Sequence, residues 1–277
     1  MIMNTIERAL VLGPGGQVGT AWTAGLLVGL RRAGVEPAEA DLVVATSAGA
    51  IVAGMLCTGQ DLELFDTPPS GSGPQGRLDG SRLGEVFAVL GTPGQEPGEA
   101  RRRVGAIALA TADPELEQAL IAGRRALIGT DDWPEQRLLI PAVAAEDGEP
   151  VVWDRDSGVP LARAVAASSA FPGTAPPVTV NGRRYLDGAL RAGSNADLAA
   201  GARRLVAIEP MAHQYPQRAA ETDTELSIGP DEESVRAFGA NPMDPAAQVP
   251  AYRAGLRQAA EVAERVRAVW ESAPLTD

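Results

Sequence analysis

The sequence contains no lysine, one cysteine and one histidine, and each shortage excludes a class of site. Its 24 basic residues are all arginines and face 36 acidic residues, so the formal net charge is −12. This acidic balance argues against nucleic-acid binding and against strong attraction to anionic membranes. A single cysteine cannot form a disulfide within the chain and is typical of a reducing compartment. We therefore expect a cytoplasmic protein with no nucleic-acid partner.

The same shortages bear on metals and cofactors. One histidine and one cysteine do not supply the ligands of a zinc cluster. A nucleotide-binding P-loop needs a lysine, and the chain has none. We therefore expect neither a metal nor a cofactor.

The sequence also has no long hydrophobic run that is free of helix-breaking glycine and proline. Residues 9–30 carry no charge, but Gly13-Pro14-Gly15-Gly16 interrupts them. This interruption favours a buried strand, a glycine loop and a buried helix over a transmembrane segment.

A chain of 277 residues buries a full core without disulfides, and we see no internal domain boundary. We expect one domain over residues 1–277, with its core at about 6–210 and a helical extension at about 231–277.

Apolar patterning predicts the order of the elements. Strands are expected at 6–12 and 41–45, each followed by a helix, at 18–33 and 48–58. This βαβα start predicts a mainly parallel sheet with helices on its faces. Further helices are expected at 82–90, 99–109, 114–127, 161–167 and 246–270. Further strands are expected at 137–145, 150–154 and 205–208, with a hairpin over 178–186 that turns at Asn181-Gly182. Residues 211–230 look polar and irregular.

Ser47 lies in Ala45-Thr46-Ser47-Ala48-Gly49, directly after an apolar run. The segment nearly matches Gly-x-Ser-x-Gly, the sharp strand-to-helix turn that presents a nucleophilic serine. Small neighbours such as Ala45 and Gly49 prevent clashes with the adjoining strand. A helix that starts at Ser47 places positive partial charge beside a developing oxyanion. The alternative is a turn of small residues without chemistry.

The loop after the first strand, from Gly13 to Gly19, is rich in glycine. Glycines between a strand and a helix let backbone N–H groups approach an anion closely. A dinucleotide fingerprint would need a third glycine where Val18 stands, so an oxyanion is favoured over a phosphate. A tight turn without a ligand is the alternative.

Asp187 begins the third motif, Asp187-Gly188-Ala189, in a tight turn. By itself an Asp-Gly pair usually caps its own backbone. Together with the serine motif and the glycine loop, a general base is favoured.

These three motifs, in this order, resemble the patatin-like phospholipase family. The resemblance covers roughly residues 6–209. It also includes Ser168-Ser169-Ala170-Phe171-Pro172 before the aspartate turn and Asn195-Ala196-Asp197-Leu198 after it. It implies a three-layer α/β/α fold with a mainly parallel sheet. The implied activity is hydrolysis of acyl esters, commonly of lipids, with transient contact to a membrane.

The resemblance also implies the roles of individual residues. Ser47 attacks the acyl carbonyl and Asp187 takes its proton directly. The backbone N–H groups of Gly15, Gly16 and Gln17 hold the oxyanion. The remaining motif residues support the turns: Gly13, Gly19, Ala45, Gly49 and Gly188.

Three alternatives remain open at the level of sequence. The order Ser47, Asp187, His213 fits a Ser–Asp–His triad of an α/β-hydrolase, although the serine turn comes early and His213 lies in a surface-like loop. An acyltransferase or thioesterase would use the same two residues. A non-catalytic acyl-binding protein is favoured by Pro14, Val18 and Ala45, which depart from the family pattern.

Residues 66–98 are rich in proline, glycine and serine. We expect an exposed insertion or lid that borders the acyl pocket, with a disordered linker as the alternative. Apolar residues in and around it are expected either to line an apolar channel or to pack in an ordinary core. These residues are Leu62, Leu64, Phe65, Leu83, Val86, Phe87 and Leu90.

Overall fold

A computed structural model describes residues 6–69, 80–214 and 224–271. Within these ranges the chain forms one eight-stranded sheet, with strands at Arg8–Leu12 (β1), Leu42–Ala45 (β2), Arg137–Ala144 (β3), Pro150–Trp153 (β4), Val178–Val180 (β5), Arg183–Asp187 (β6), Arg204–Ile208 (β7) and Thr224–Ile228 (β8). The strand order is β5-β6-β3-β2-β1-β7-β8, and β4 pairs with β3. Strands β3, β2, β1, β7 and β8 run parallel, whereas β4, β5 and β6 join by antiparallel pairs.

The α-helices lie at Gly16–Arg32 (α1), Ala48–Cys57 (α2), Gly80–Leu90 (α3), Pro97–Leu109 (α4), Pro114–Ile128 (α5), Leu161–Ser168 (α6), Ala189–Ala192 (α7), Glu232–Phe238 (α8) and Gln248–Trp270 (α9). Short 3-10 helices lie at Pro37–Glu39, Leu62–Asp66, Ala196–Ala199 and Pro245–Ala247.

The central strands are buried on both faces. Alternate residues such as Leu10 and Val43 join the larger core, which α1, α2, α5, α6 and α9 cover. Their neighbours in the chain, such as Val11 and Val44, pack on the other side against Ala196 and Ala199 of a 3-10 helix. Strands that are covered on both faces are continuous runs of apolar residues in the sequence, and β1 and β2 show this pattern. The expected α/β fold with a mainly parallel sheet is confirmed.

Helices α1 and α9 pack against each other at short range. A Cβ on Gly25 of α1 would lie 2.0 Å from the carbonyl oxygen of Tyr252 in α9, so only glycine allows this approach. Residues 9–30, which carry no charge, form most of β1, the glycine loop and most of α1, as expected. Within the described ranges, no helix has the length and apolar character needed to cross a membrane.

Most elements match their predicted positions to within a few residues, and the Asn181-Gly182 hairpin is present between β5 and β6. One expectation was wrong. Part of the stretch 211–230, read as irregular, is strand β8, which pairs in parallel with β7 at the edge of the sheet. Residues 215–223 of that stretch lie outside the described part of the chain. So do residues 70–79 of the predicted insertion, whose described remainder contains α3 and the start of α4.

The apolar residues in and around the insertion form a buried group and an exposed group, and Leu83 is half-buried. The buried group contains Leu62, Phe65 and Val86, which pack in hydrophobic cores. For these three residues, ordinary core packing is the correct alternative. Leu64, Phe87 and Leu90 are among the large apolar side chains that remain exposed.

Candidate active site

The loops that follow β1 and β2 meet at the carboxyl edge of the sheet. In the parallel register Leu12 lies opposite Ala45, so both strands end at the same level. The Thr46 amide donates to the Leu12 carbonyl at 2.9 Å, and the Gly49 amide donates to the Gly13 carbonyl at 3.1 Å. Ligands of parallel α/β sheets commonly bind at this edge.

Ser47 has a strained backbone at the junction of β2 and α2. Its φ is 55° and its ψ is −115°, a region that residues other than glycine rarely adopt. A Cβ on Gly49 would lie 2.0 Å from the Leu12 carbonyl oxygen, so glycine is required there. Ala45 is completely buried and its methyl group is accommodated in the core. The sharp turn expected from the sequence is therefore present, with alanine in its first position.

Asp187 lies at the end of β6 and contacts Ser47 directly. The Ser47 Oγ donates to the Asp187 Oδ2 at 2.6 Å. The Asp187 Oδ1 accepts from the backbone N–H of Ala189 at 2.8 Å, which fixes the plane of the carboxylate. A Cβ on Gly188 would lie 2.3 Å from the Pro141 carbonyl oxygen, so the turn after Asp187 also needs glycine. The structure thus brings together the two side chains that the sequence singled out.

The environment of Asp187 makes its carboxyl group a stronger base than usual. The side chain is 1% exposed, and burial raises its pKa to about 7. The hydrogen bonds from Ser47 and Ala189 and the charge of Arg124 act in the opposite direction. A carboxylate with this pKa is half ionised near neutral pH.

The N–H groups of Gly15, Gly16 and Gln17 are oriented by the start of α1. The first hydrogen bond of that helix runs from the Gly19 amide to the Gly15 carbonyl, at 2.9 Å. The amides of Gly15, Gly16 and Gln17 have no partner within the helix, and they donate to no acceptor in the described part of the chain. By contrast, the Val18 amide donates to the Pro242 carbonyl at 3.1 Å. Three adjacent free amides at a helix N-terminus are suited to an oxyanion.

The glycine loop is shaped by segments that are distant from it in the sequence. A Cβ on Gly15 would lie 2.8 Å from the Pro210 Cβ. Gly16 has a φ of 61°, and a Cβ there would lie 2.8 Å from the Pro242 carbonyl oxygen. The side chain of Gln17 donates to Gln248 at 3.3 Å. The loop before α9 therefore packs on the glycine loop.

Asn195 joins the serine turn to the aspartate turn. This completely buried residue donates from Nδ2 to the Thr46 Oγ1 at 3.0 Å and to the Gly188 carbonyl at 3.0 Å. Its own Oδ1 accepts from Arg191 at 2.8 Å. In the sequence, Asn195 belongs to a motif that does not by itself indicate a role for this residue. Only the fold places it between two segments about 140 residues apart.

Two further residues lie near Ser47 and Asp187: Ser168, which was quoted only as part of a motif, and Arg124, which was not predicted. The Ser168 Oγ accepts from the Ser47 amide at 3.2 Å. Arg124, on α5, is half-buried and donates from Nε to the Ser169 Oγ at 3.0 Å. Burial lowers the pKa of Arg124 to about 10, while the charge of Asp187 opposes that shift. Nothing in the local sequence around Arg124 marks it as part of a site.

His213 is exposed and is held away from Ser47 and Asp187 by other contacts. Its Nδ1 lies 3.1 Å from the Pro210 carbonyl oxygen, and its ring packs on Phe238. In the described ranges it makes no hydrogen bond to Asp187. This arrangement argues against the Ser–Asp–His alternative.

Fold and site together define a protein with a buried serine–aspartate pair at the carboxyl edge of a mainly parallel sheet. The family model for patatin-like phospholipase matches residues 81–200. This confirms the resemblance found in the motifs, and the matched family consists of hydrolases that act on ester bonds. The matched region contains Asp187 and Asn195, whereas Ser47 and the glycine loop precede it.

Solved structures that are similar to this chain include two of low identity. VipD from Legionella pneumophila is 12% identical with a TM-score of 0.46, over 94% of this chain and 67% of that one. The type III effector protein ExoU is 16% identical with a TM-score of 0.41, over 95% of this chain and 53% of that one. The chain therefore spans about half the length of ExoU. No curated protein matches the sequence.

Proposed function

We propose that this protein is a serine acyl-ester hydrolase in which Ser47 is the nucleophile and Asp187 the general base. The observation that carries the proposal is the 2.6 Å hydrogen bond between the Ser47 Oγ and the Asp187 Oδ2. The strained backbone of Ser47 and the raised pKa of Asp187 support it, because both are typical of functional sites.

In the first half of the reaction, the Ser47 oxygen attacks the acyl carbonyl and its proton passes to the Asp187 carboxylate. The negative charge on the former carbonyl oxygen is stabilised by the N–H groups of Gly15, Gly16 and Gln17. Asp187 then returns the proton to the departing alcohol, and the acyl group stays on Ser47 as an ester.

In the second half, water replaces the alcohol. Asp187 accepts a proton from the attacking water molecule, and the same N–H groups stabilise the second tetrahedral intermediate. The bond to the Ser47 oxygen breaks, Ser47 regains its proton from Asp187, and the carboxylic acid leaves.

A carboxylate is ordinarily a weak base toward a hydroxyl group, so this mechanism depends on the burial of Asp187. With a pKa of about 7, the carboxyl group is a better proton acceptor than a solvated aspartate and is still largely ionised slightly above neutral pH. No histidine is needed between the two side chains.

We propose acyl lipids as the substrate class, because the matching family is named for phospholipids. Contact with a lipid surface is then transient and involves α3. This helix exposes Phe87 and Leu90, and its Phe87 ring packs on Phe171 at 5.9 Å between centroids. Phe171 follows the Ser168–Ala170 segment that contacts Ser47 and Asp187. The described part of the insertion therefore borders the site.

We also propose that the chain acts as one domain in the cytoplasm. The predicted core ends at about residue 210. Pro210, at this boundary, and Pro242, beyond it, both pack on the glycine loop. The single thiol, Cys57, is compatible with a reducing compartment.

The test is labelling with a fluorophosphonate probe together with hydrolysis of p-nitrophenyl esters of graded chain length. Wild type should be labelled and should hydrolyse at least one ester. Ser47→Ala should lose both properties while it stays folded, because the change removes one oxygen atom. Ser157→Ala is the matched control, since Ser157 lies in the turn after β4 and, within the described ranges, its hydroxyl donates only to the Asp154 carbonyl. Turnover retained by Ser47→Ala would refute the proposal.

A further inference from the structure

Arg124 lies against the segment that holds Ser47 and Asp187 in place. In this segment the Ser168 Oγ accepts from the Ser47 amide, and the Ala170 carbonyl accepts from the Asp187 amide at 3.1 Å. Ser169, between these two residues, accepts from the Arg124 Nε at 3.0 Å. Helix α5 thus delivers a guanidinium group to the edge of the proposed catalytic site. The proposed mechanism does not use this group.

Most of the hydrogen-bonding capacity of Arg124 is unused. A guanidinium group has five N–H donors, of which four are on the terminal nitrogens. No acceptor for those four lies within the part of the chain that the structure describes. Arg124 is half-buried, and its terminal nitrogens keep some solvent-accessible surface. The neighbouring Arg125 differs, because it pairs with Asp131 at 2.6 Å.

We infer that Arg124 is a specificity-determining residue that binds a singly charged oxyanion of the substrate, close to the ester that Ser47 attacks. The planar fork of a guanidinium group matches the oxygens of a phosphate diester or a carboxylate. The inference rests on the proposed function, because it names the kind of ester that the site selects. It also explains how a chain of net charge −12 binds an anionic substrate, because the positive charge of Arg124 balances the single negative charge of the substrate.

A purely electrostatic role, in which Arg124 only keeps Asp187 ionised, is distinguishable from substrate binding. The two roles separate at pH 9, which lies two pH units above the Asp187 pKa of about 7, so Asp187 stays largely ionised even when loss of the Arg124 charge raises that pKa moderately. At this pH an effect through Asp187 would be small and equal for all substrates. An effect through binding would be confined to charged substrates.

The experiment compares octanoyl esters of glycerol, glycerophosphocholine and glycolic acid at pH 9. The first alcohol is neutral, the second carries a phosphate diester and the third a carboxylate. We expect Arg124→Gln to lower kcat/KM about tenfold or more for at least one charged ester and less than twofold for the neutral ester. The more affected ester identifies the oxyanion. Arg124→Lys, which keeps the charge but not the fork, should lose less.

Arg125→Gln is the matched control and should leave all three esters unchanged. A binding measurement does not depend on turnover: Ser47→Ala should bind glycerophosphocholine or glycolate in calorimetry, and Ser47→Ala/Arg124→Gln should not. Equal losses on all esters, or binding that survives removal of Arg124, would overturn the inference. Failure of wild type to hydrolyse any ester would instead refute the proposed hydrolase, and the calorimetric comparison would still decide whether Arg124 binds an oxyanion. Urea unfolding of each variant checks that the fold is retained.

Discussion

At the scale of single residues, the proposed chemistry depends on the protonation of Asp187. A general base works only when it is ionised, so kcat/KM should reach half of its plateau near pH 7, stay constant at about one pH unit higher and beyond, and fall about tenfold per pH unit well below pH 7. A pH–rate profile on a neutral, soluble ester between pH 5 and 9 measures this. His213→Ala is the control, because histidine is the other residue type that titrates in this range. The inflection should persist in that variant, and its disappearance would assign it to His213.

The same scale shows which site residues a sequence reveals. Ser47 and Asp187 were predictable because each is accompanied by local signals, small neighbours in one case and a glycine turn in the other. Asn195 and Ser168 lie in motifs of the resemblance and Arg124 lies in none, but no local signal predicts the contacts of these three residues. Their contacts reach across 149, 121 and 45 residues, to Thr46, Ser47 and Ser169 respectively. Only the folded chain brings these partners together.

At the scale of elements, the exposed face of α3 should affect activity on aggregated lipid. Phe87 is 46% exposed and Leu90 is 39% exposed, so burying them in a lipid surface would be favourable. The double variant Phe87→Ser/Leu90→Ser should lose about tenfold in activity on zwitterionic vesicles and little on a soluble ester. Vesicle sedimentation and initial rates measure the two effects.

Val152→Ser is the matched control for the α3 prediction. Val152 is 38% exposed on β4, a different element. It should change neither vesicle binding nor turnover. If the α3 variant and the β4 variant lower vesicle activity equally, α3 has no special part in lipid contact.

Elements were predictable where local signals were strong. The β5–β6 hairpin was expected from Asn181-Gly182, and both residues adopt positive φ, at 49° and 80°. Strand β8 was missed because it is short and follows a polar stretch. Its signal is only the alternation of the buried Leu226 and Ile228 with the exposed Ser227. A five-residue pattern of this kind becomes a strand because β7 offers it an edge.

At the scale of the whole molecule, the site draws on distant parts of the chain. The glycine loop follows the first strand, Asp187 is the last residue of the sixth, and Pro242 packs on the glycine loop from just before α9. The family model matches residues 81–200 and so includes only one of these three parts. The βαβα start and the motif order made the fold class predictable. The packing of the C-terminal part on the glycine loop was not, because it depends on the docking of α9 onto α1.

The free energy of unfolding of the whole molecule should reveal the energetic cost of keeping Asp187 buried. The pKa of Asp187 is raised in the folded state from 3.8 to about 7. Between these pH values the folded chain binds a proton that the unfolded chain has lost, so this group's contribution to stability falls as pH rises from about 4 to about 7. Above pH 7 the loss is complete. Asparagine at this position has no charge to bury and still accepts from the Ala189 amide.

Asp187→Asn should therefore be inactive and yet more stable than wild type. We expect a gain of about 1 to 2 kcal/mol at pH 8, below the ceiling of about 4 kcal/mol that the full pKa shift would give. Urea unfolding at pH 8 and pH 5 measures it, and the gain should shrink by more than half at the lower pH. Asp156→Asn, at an exposed position in the turn after β4, controls for the change in net charge and should show no such dependence. A variant less stable than wild type at pH 8 would mean that the contacts of the ionised carboxylate outweigh the cost of its burial, contrary to the raised pKa on which the mechanism depends.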